Sequence, residues 1–121
     1  MGKNTEVEAK AIKYVMEYEK KNNNSPVDCH NDRIGYDIKC SNKIIEVKGH
    51  TEQRIPFETL NSSNIKALEN DIDYFLYIVY DINKKPKLLI INKDFIEKNK
   101  KEKISFEIPL RKDEYSESIE L

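Results

Sequence analysis

The chain has no tryptophan, two cysteines and three glycines, and its charges almost cancel. Each shortage removes a class of reading. Cys29 and Cys40 are too few for the disulfide framework of a small secreted domain, so a cytoplasmic location is expected. Neither belongs to a C-x-x-C pair, and with His30 and His50 the spacing suits no zinc finger or ribbon. No stretch approaches the roughly 20 apolar residues of a membrane span, so no membrane partner is expected. The opening "MGKNTEVEAK" is charged and has no signal-peptide core. A formal net charge of −1 offers no global field to a nucleic acid. Such a partner has to be met by a local lysine patch or by a groove between two copies.

What is present suits a single domain over residues 1–121, long enough for one core and hardly for two. Seven tyrosines and four phenylalanines supply core volume to an otherwise polar chain. "NTEVEAKAIKYVMEYEKKN" predicts an amphipathic helix over 5–21. Glu6, Lys10, Lys13, Glu17 and Lys20 form its solvated stripe, and Val7, Ala11, Tyr14, Val15 and Tyr18 its buried one. Thr5, with Glu8 three residues on, makes a capping-box pattern. "NNNSP" ends the helix, and "VDCH" reads as a short strand. "TEQRIPFETLNSS" reads as a break before a short helix over 63–70. "YFLYIVYDI" is the most apolar run and predicts a buried central strand, followed by a second strand, "KLLIIN". "KDFIEKNKKEK" suggests a short helix and turn, "ISFEIPL" a last edge strand, and "RKDEYSESIEL" a polar tail. The order α-β-β-β-α-β-β predicts an α/β domain, a mixed sheet flanked by helices.

The stretch "RIGYDIKCSNKIIEVKGH", residues 33–50, predicts two short strands about a Ser41-Asn42 turn. Alternation puts Tyr36, Ile38, Cys40, Ile45 and Val47 on one face. It puts Asp37, Lys39, Ile44, Glu46 and Lys48 on the other. The turn sets Cys40 against Lys43, hence Asp37 opposite Glu46 and Gly35 opposite Lys48. Two carboxylates so opposed destabilise the hairpin unless a positive charge sits between them. Lys48 supplies one charge. A divalent cation supplies more, and oxygen ligands suit Mg²⁺ or Mn²⁺. Glu8 lies at the edge of the buried helical stripe, where a helix laid over the sheet would aim it at the same ion. The plainer readings are a solvated hairpin face with a salt bridge to Lys48, and a Glu8 that only closes the capping box to Thr5.

Asp-x8-Glu-x-Lys on a hairpin, with a glutamate on the preceding helix, resembles the PD-(D/E)XK nuclease superfamily. More narrowly, "GYDI…IIEVKG" looks like the NO VEIN C-terminal domain family, a branch often found in bacterial and archaeal restriction or defence proteins. The layout is also similar to that of archaeal Holliday-junction resolvases. The resemblance covers most of the chain, from the helix carrying Glu8 to the helix-strand unit after the hairpin. It implies a restriction-endonuclease-like fold and a Mg²⁺-dependent DNA endonuclease serving restriction, defence or DNA processing. In it Asp37, Glu46 and the backbone carbonyl of Val47 hold the metal (Mg²⁺ or Mn²⁺), Lys48 assists the attacking water, and Glu8 matches the helix glutamate. The superfamily's proline has no counterpart, since Tyr36 precedes Asp37. DNA is the implied partner, with a homodimer or a larger defence assembly as the working form. Lys66, at the start of the second helix, and His50 and Thr51, after the hairpin, are expected to touch substrate, and "EKNKKEK" is a candidate basic patch. A reading from a different class is a binding or scaffolding module of the same fold. Its signature is erosion of the metal triad, and here the triad is complete.

Overall fold

A computed structural model of the protein describes residues 5–70, 73–102, 106–111 and 115–121. Helix α1 (Thr5–Lys21) has Glu6 and Glu8 in its first turn and Lys20 and Lys21 in its last, which suits the helix dipole at both ends. Its innermost residues are Ala11, Ile12, Val15 and Glu19, so the buried stripe is rotated slightly from the expected one. Tyr14 and Tyr18 pack at its margins.

The main sheet contains β1 (Val27–Asp28), β2 (Ile38–Lys39), β3 (Ile44–Gly49), β5 (Tyr74–Tyr80), β6 (Lys87–Asn92) and β9 (Ile119–Glu120), in the order β1-β2-β3-β5-β6-β9. Strands β3 and β5 run parallel, and every other neighbouring pair is antiparallel. The crossover between β3 and β5 carries β4 (Phe57–Leu60) and α2 (Ser62–Asn70). The sheet is therefore mixed and flanked by helices, an α/β architecture as the sequence implies. Among the described residues no helix is long and apolar enough to cross a membrane.

Both faces of the sheet are covered. On one, Ala11, Ile12 and Val15 pack against Ile38, Ile45, Val47, Tyr77 and Val79. On the other, Ile44, Leu76 and Ile78 meet Leu68 of α2, Ile96 of α3 (Lys93–Asn99) and Ile108 of β8 (Phe106–Pro109). A strand covered on both sides needs apolar residues at successive positions, which explains the unbroken run in β5. Gly49 sits where α1 comes closest, because a Cβ there would lie 2.9 Å from that of Ala11.

Three segments differ from the sequence expectation. The supposed break after the hairpin contains β4, with Glu58 and Leu60 turned inward. "ISFEIPL" does not edge the main sheet; its β8 is the middle strand of a second sheet ordered β4-β8-β7, with β7 at Lys101–Glu102. The polar tail is structured as well. Its β9 pairs with β6, and the Tyr115 ring packs on Tyr80 at 5.2 Å between centroids. These pairings join residues far apart in the chain, which local periodicity does not record.

A buried polar cluster clamps the end of α1. Glu19 is fully buried and accepts from Tyr77 Oη and from Asn24 Nδ2 (2.6 Å), with Lys43 Nζ 3.2 Å away. Lys43 also donates to Tyr77 Oη at 2.8 Å and lies over the Phe75 ring. The charge is buried but fully partnered, as burial requires.

Candidate active site

The hairpin keeps the expected register through its turn. Ile38 pairs with Ile45 and Lys39 with Ile44, and the Cys40 N–H donates to the Lys43 carbonyl at 2.8 Å. The ladder ends there, one pair short of Asp37 and Glu46. The Asp37 N–H donates to the Ile45 carbonyl (2.8 Å), and its own carbonyl accepts from the Cys29 N–H (2.7 Å). Gly35 does not reach Lys48 either. Its carbonyl accepts from Asn64 Nδ2 at 3.0 Å and from Tyr74 Oη at 3.4 Å, which holds the loop against α2. Its φ of +90° and the Ser63 carbonyl oxygen, 2.3 Å from where a Cβ would stand, leave room for glycine alone.

The bend changes which residues share a face. Ile38, Cys40, Ile45 and Val47 share a face as expected, and it looks toward α1. Tyr36, expected beside Ile38, packs on the opposite cluster, and Ile44 is a core residue there rather than a member of a polar face. The carboxylates are thus set into the margin of a second core.

The candidate side chains still converge. Asp37 and Glu46 are each 8% exposed. The Asp37 carboxylate accepts from the Val47 N–H at 2.8 Å and lies within hydrogen-bonding reach of the Glu46 side chain. Lys48 Nζ stands 3.6 Å from Glu46 Oε2. Burial pushes the Asp37 pKa above the ordinary carboxylate value; the Val47 N–H opposes this, the Glu8 charge adds to it, and Lys48 opposes it again. Glu8, half-buried in the first turn of α1, is therefore near enough to act on Asp37 across the helix–hairpin boundary.

In a strand a residue's N–H and C=O point to the same edge. The Val47 N–H points at Asp37, so its carbonyl looks into the same gap, where β2 has already ended. Among the described residues no three His, Cys, Asp or Glu side chains are grouped closely enough to hold a metal ion. Mg²⁺ asks for less, since one or two carboxylates with several retained waters ordinarily suffice. Asp37, Glu46 and the Val47 carbonyl fit that demand.

The family model for the C-terminal region of protein NO VEIN matches residues 7–91, from the first turn of α1 through nearly all of β6. The chain belongs to the NO VEIN C-terminal family. No curated protein and no solved structure matches it. The matched span holds the hairpin, α2 and the parallel β3–β5 pair, so every candidate site residue lies within the NO VEIN C-terminal region.

The outer residues divide. Lys66 lies on α2 and lines a cleft of about 530 Å³ beside Tyr36 and Ile44. His50 is engaged elsewhere, its Nε2 lying 2.6 Å from Glu58 Oε1 and its Nδ1 3.8 Å from Glu52 Oε1. Thr51 is exposed in the bend that follows β3, with no contact bringing it to Asp37. Of the "EKNKKEK" run, Lys98 and Lys100 pair with Asp94 and Glu97, while Lys103 falls outside the described residues.

Two further neighbours border the site. Tyr74 reads as a strand hydrophobe, yet its hydroxyl meets the Gly35 carbonyl, and burial, with the charges of Glu46 and Asp37, raises its pKa. His30, at a strand end, has a surface reading from sequence beside a substrate-touching one. Its pKa is raised, chiefly by the hydrogen bond to Asp28, although burial opposes this; the charges of Asp37 and Glu8 contribute further. Pairing "VDCH" with the first hairpin strand is the signal that would have placed His30 near Asp37.

Proposed function

We propose that this chain is a Mg²⁺-dependent nuclease of the PD-(D/E)XK type that hydrolyses phosphodiester bonds in DNA, with a restriction-endonuclease-like fold and a role in restriction, defence or DNA processing. One observation carries the reading. Two nearly buried carboxylates, Asp37 and Glu46, lie within reach of one another beside Lys48, where burial and the Glu8 charge disfavour the ionised form of Asp37. A bound divalent ion supplies electrophilic assistance at the phosphoryl group and a counter-charge for both carboxylates.

The chain's own groups do the rest. The Val47 N–H fixes the Asp37 carboxylate, and Lys48 holds Glu46 from the other side. The Lys48 ammonium directs a hydrogen bond at the phosphoryl oxygen or the attacking water as negative charge develops. Glu8 accepts a hydrogen bond from that water. No covalent nucleophile is required. DNA is the partner in this reading, and a two-fold pair, which presents a site to each strand of a duplex, or a larger defence assembly is the working form.

A second reading, a silent binding or scaffolding module, draws support from the lack of a three-side-chain ligand group among the described residues. It also fits a family described by the C-terminal region of another protein. Cleavage assays separate the two. The purified chain with Mg²⁺ or Mn²⁺ is expected to cut at least one of plasmid, branched or single-stranded DNA, and chelator to stop it. Lys48→Ala and Glu46→Gln should each lower the rate by orders of magnitude while the protein keeps its circular-dichroism spectrum. No cleavage of any substrate favours the module. Full-rate cleavage by Lys48→Ala points to a contaminating nuclease.

A further inference from the structure

The cleft between the hairpin loop and α2 has a composition of its own. Its floor and one wall are Ile44, Tyr36 and Ile34, and Ile34 is 44% exposed. Arg33 and Lys66 stand on its rim, and no carboxylate is among the described residues that line it. In a chain of net charge −1, the described residues of this concavity contribute two cations and no acid. At about 530 Å³ it has the size of a small-ligand pocket, room for one base with its sugar.

Position ties the cleft to the carboxylates. Tyr36 directly precedes Asp37, and Ile44 lies two residues before Glu46 on the same face of β3, a step of about 6.6 Å. The wall is preformed, because the Gly35 carbonyl is pinned by Asn64 and Tyr74. Arg33 holds a φ of +56°, a conformation that non-glycine residues seldom adopt. An occupant therefore meets a loop already in place, which spares it the cost of ordering that loop.

We propose that this cleft takes one unpaired nucleotide of a DNA strand next to the scissile phosphate, its base against Tyr36 and Ile34 and its backbone between Arg33 and Lys66. The proposal rests on the nuclease reading for the word scissile. Its binding chemistry stands apart: an aromatic wall with a cationic rim is how proteins hold single strands, and it tolerates any base because every base has a flat face. A base in a duplex has to leave its stack and its partner to enter a cleft, so paired DNA is at a disadvantage.

Fluorescence anisotropy of a labelled oligothymidylate, at low salt with chelator present, tests binding without cleavage. The single strand is expected to bind at least ten-fold more tightly than a blunt duplex of equal length. Tyr36→Leu should weaken it about ten-fold or more, while Tyr36→Phe keeps it. Lys66→Ala, at an exposed position that puts no folding at risk, should weaken binding and flatten its salt dependence. Equal binding of duplex and single strand, or single-strand binding unchanged in either Tyr36→Leu or Lys66→Ala, overturns the assignment. Single-strand binding with this mutational pattern but no metal-dependent cleavage upholds the cleft and defeats the nuclease reading. Cleavage with binding indifferent to both residues does the reverse.

Discussion

Asp37 sits among groups that pull its ionisation in opposite directions. Burial and the Glu8 charge hold its folded pKa up, and the Val47 N–H, Lys48 and the hydrogen bond with Glu46 undo only part of that. A carboxyl whose folded pKa is raised contributes stability below its unfolded value of about 3.9, and that contribution is lost as pH rises through the folded value. In chelator at pH 7, Asp37→Asn is therefore expected to melt at or above the parent temperature, since the amide oxygen still accepts from the Val47 N–H. The difference should close as the pH falls below about 4. A variant melting well below the parent at pH 7 would mean that the ionised carboxylate is held by more favourable charge than these partners supply. Glu8 offers a cleaner functional contrast. Glu8→Gln should slow cleavage by about ten- to a hundred-fold if Glu8 orients water or metal, and leave it unchanged if Glu8 only caps the helix. Its melting point separates lost fold from lost chemistry.

The hairpin and its two covering layers set the costs at the scale of elements. Ile45 is fully buried under α1, and Ile45→Ala is expected to cost about 2–5 kcal/mol in denaturant unfolding. A hairpin with one solvated face would let Ile44→Ala pass cheaply. Because Ile44 is only 4% exposed within the second core, it should cost a comparable amount. Lys48→Ala should cost less than either. Glu19→Ala leaves Lys43 and Tyr77 facing each other without their carboxylate, and an expected loss of about 3–5 kcal/mol follows from breaking a buried pair on one side. The helix α1 was legible from a burial period repeated over several turns, and the strand β5 from its unbroken apolar run. Strand β4 was not: in "FETL" the inward positions are Glu58 and Leu60, and a buried glutamate reads from sequence as a solvated one. Glu19 escaped notice for the same reason.

For the whole molecule, a divalent ion that binds only the folded state should stabilise it by mass action, by about 2.7 kcal/mol at a hundred times the dissociation constant, and so raise its melting temperature. Thermal melts with millimolar Mn²⁺ are expected to show a rise of several degrees in the parent chain and none in Asp37→Asn. A rise that survives the substitution would move the ion away from the hairpin.

The sequence by itself determined the α/β class, the long first helix, the central apolar strand and the pairing of Ile38 with Ile45. These are local: a period, a turn and its register need no distant partner. It also nominated Asp37, Glu46, Lys48 and Glu8, because short spacing on a hairpin limits where side chains can point. Only the tertiary structure decided how those groups meet. The ladder stops before Asp37 because Gly35 is drawn onto α2, so the carboxylate reaches the Val47 N–H instead of standing in regular register with Glu46. Tertiary contacts also covered the second face of β3, engaged His50 with Glu58, and opened the cleft between the hairpin loop and α2. Apart from the His50–Glu58 contact, which spans eight positions, those outcomes depend on residues tens of positions apart packing together, and no local pattern encodes that.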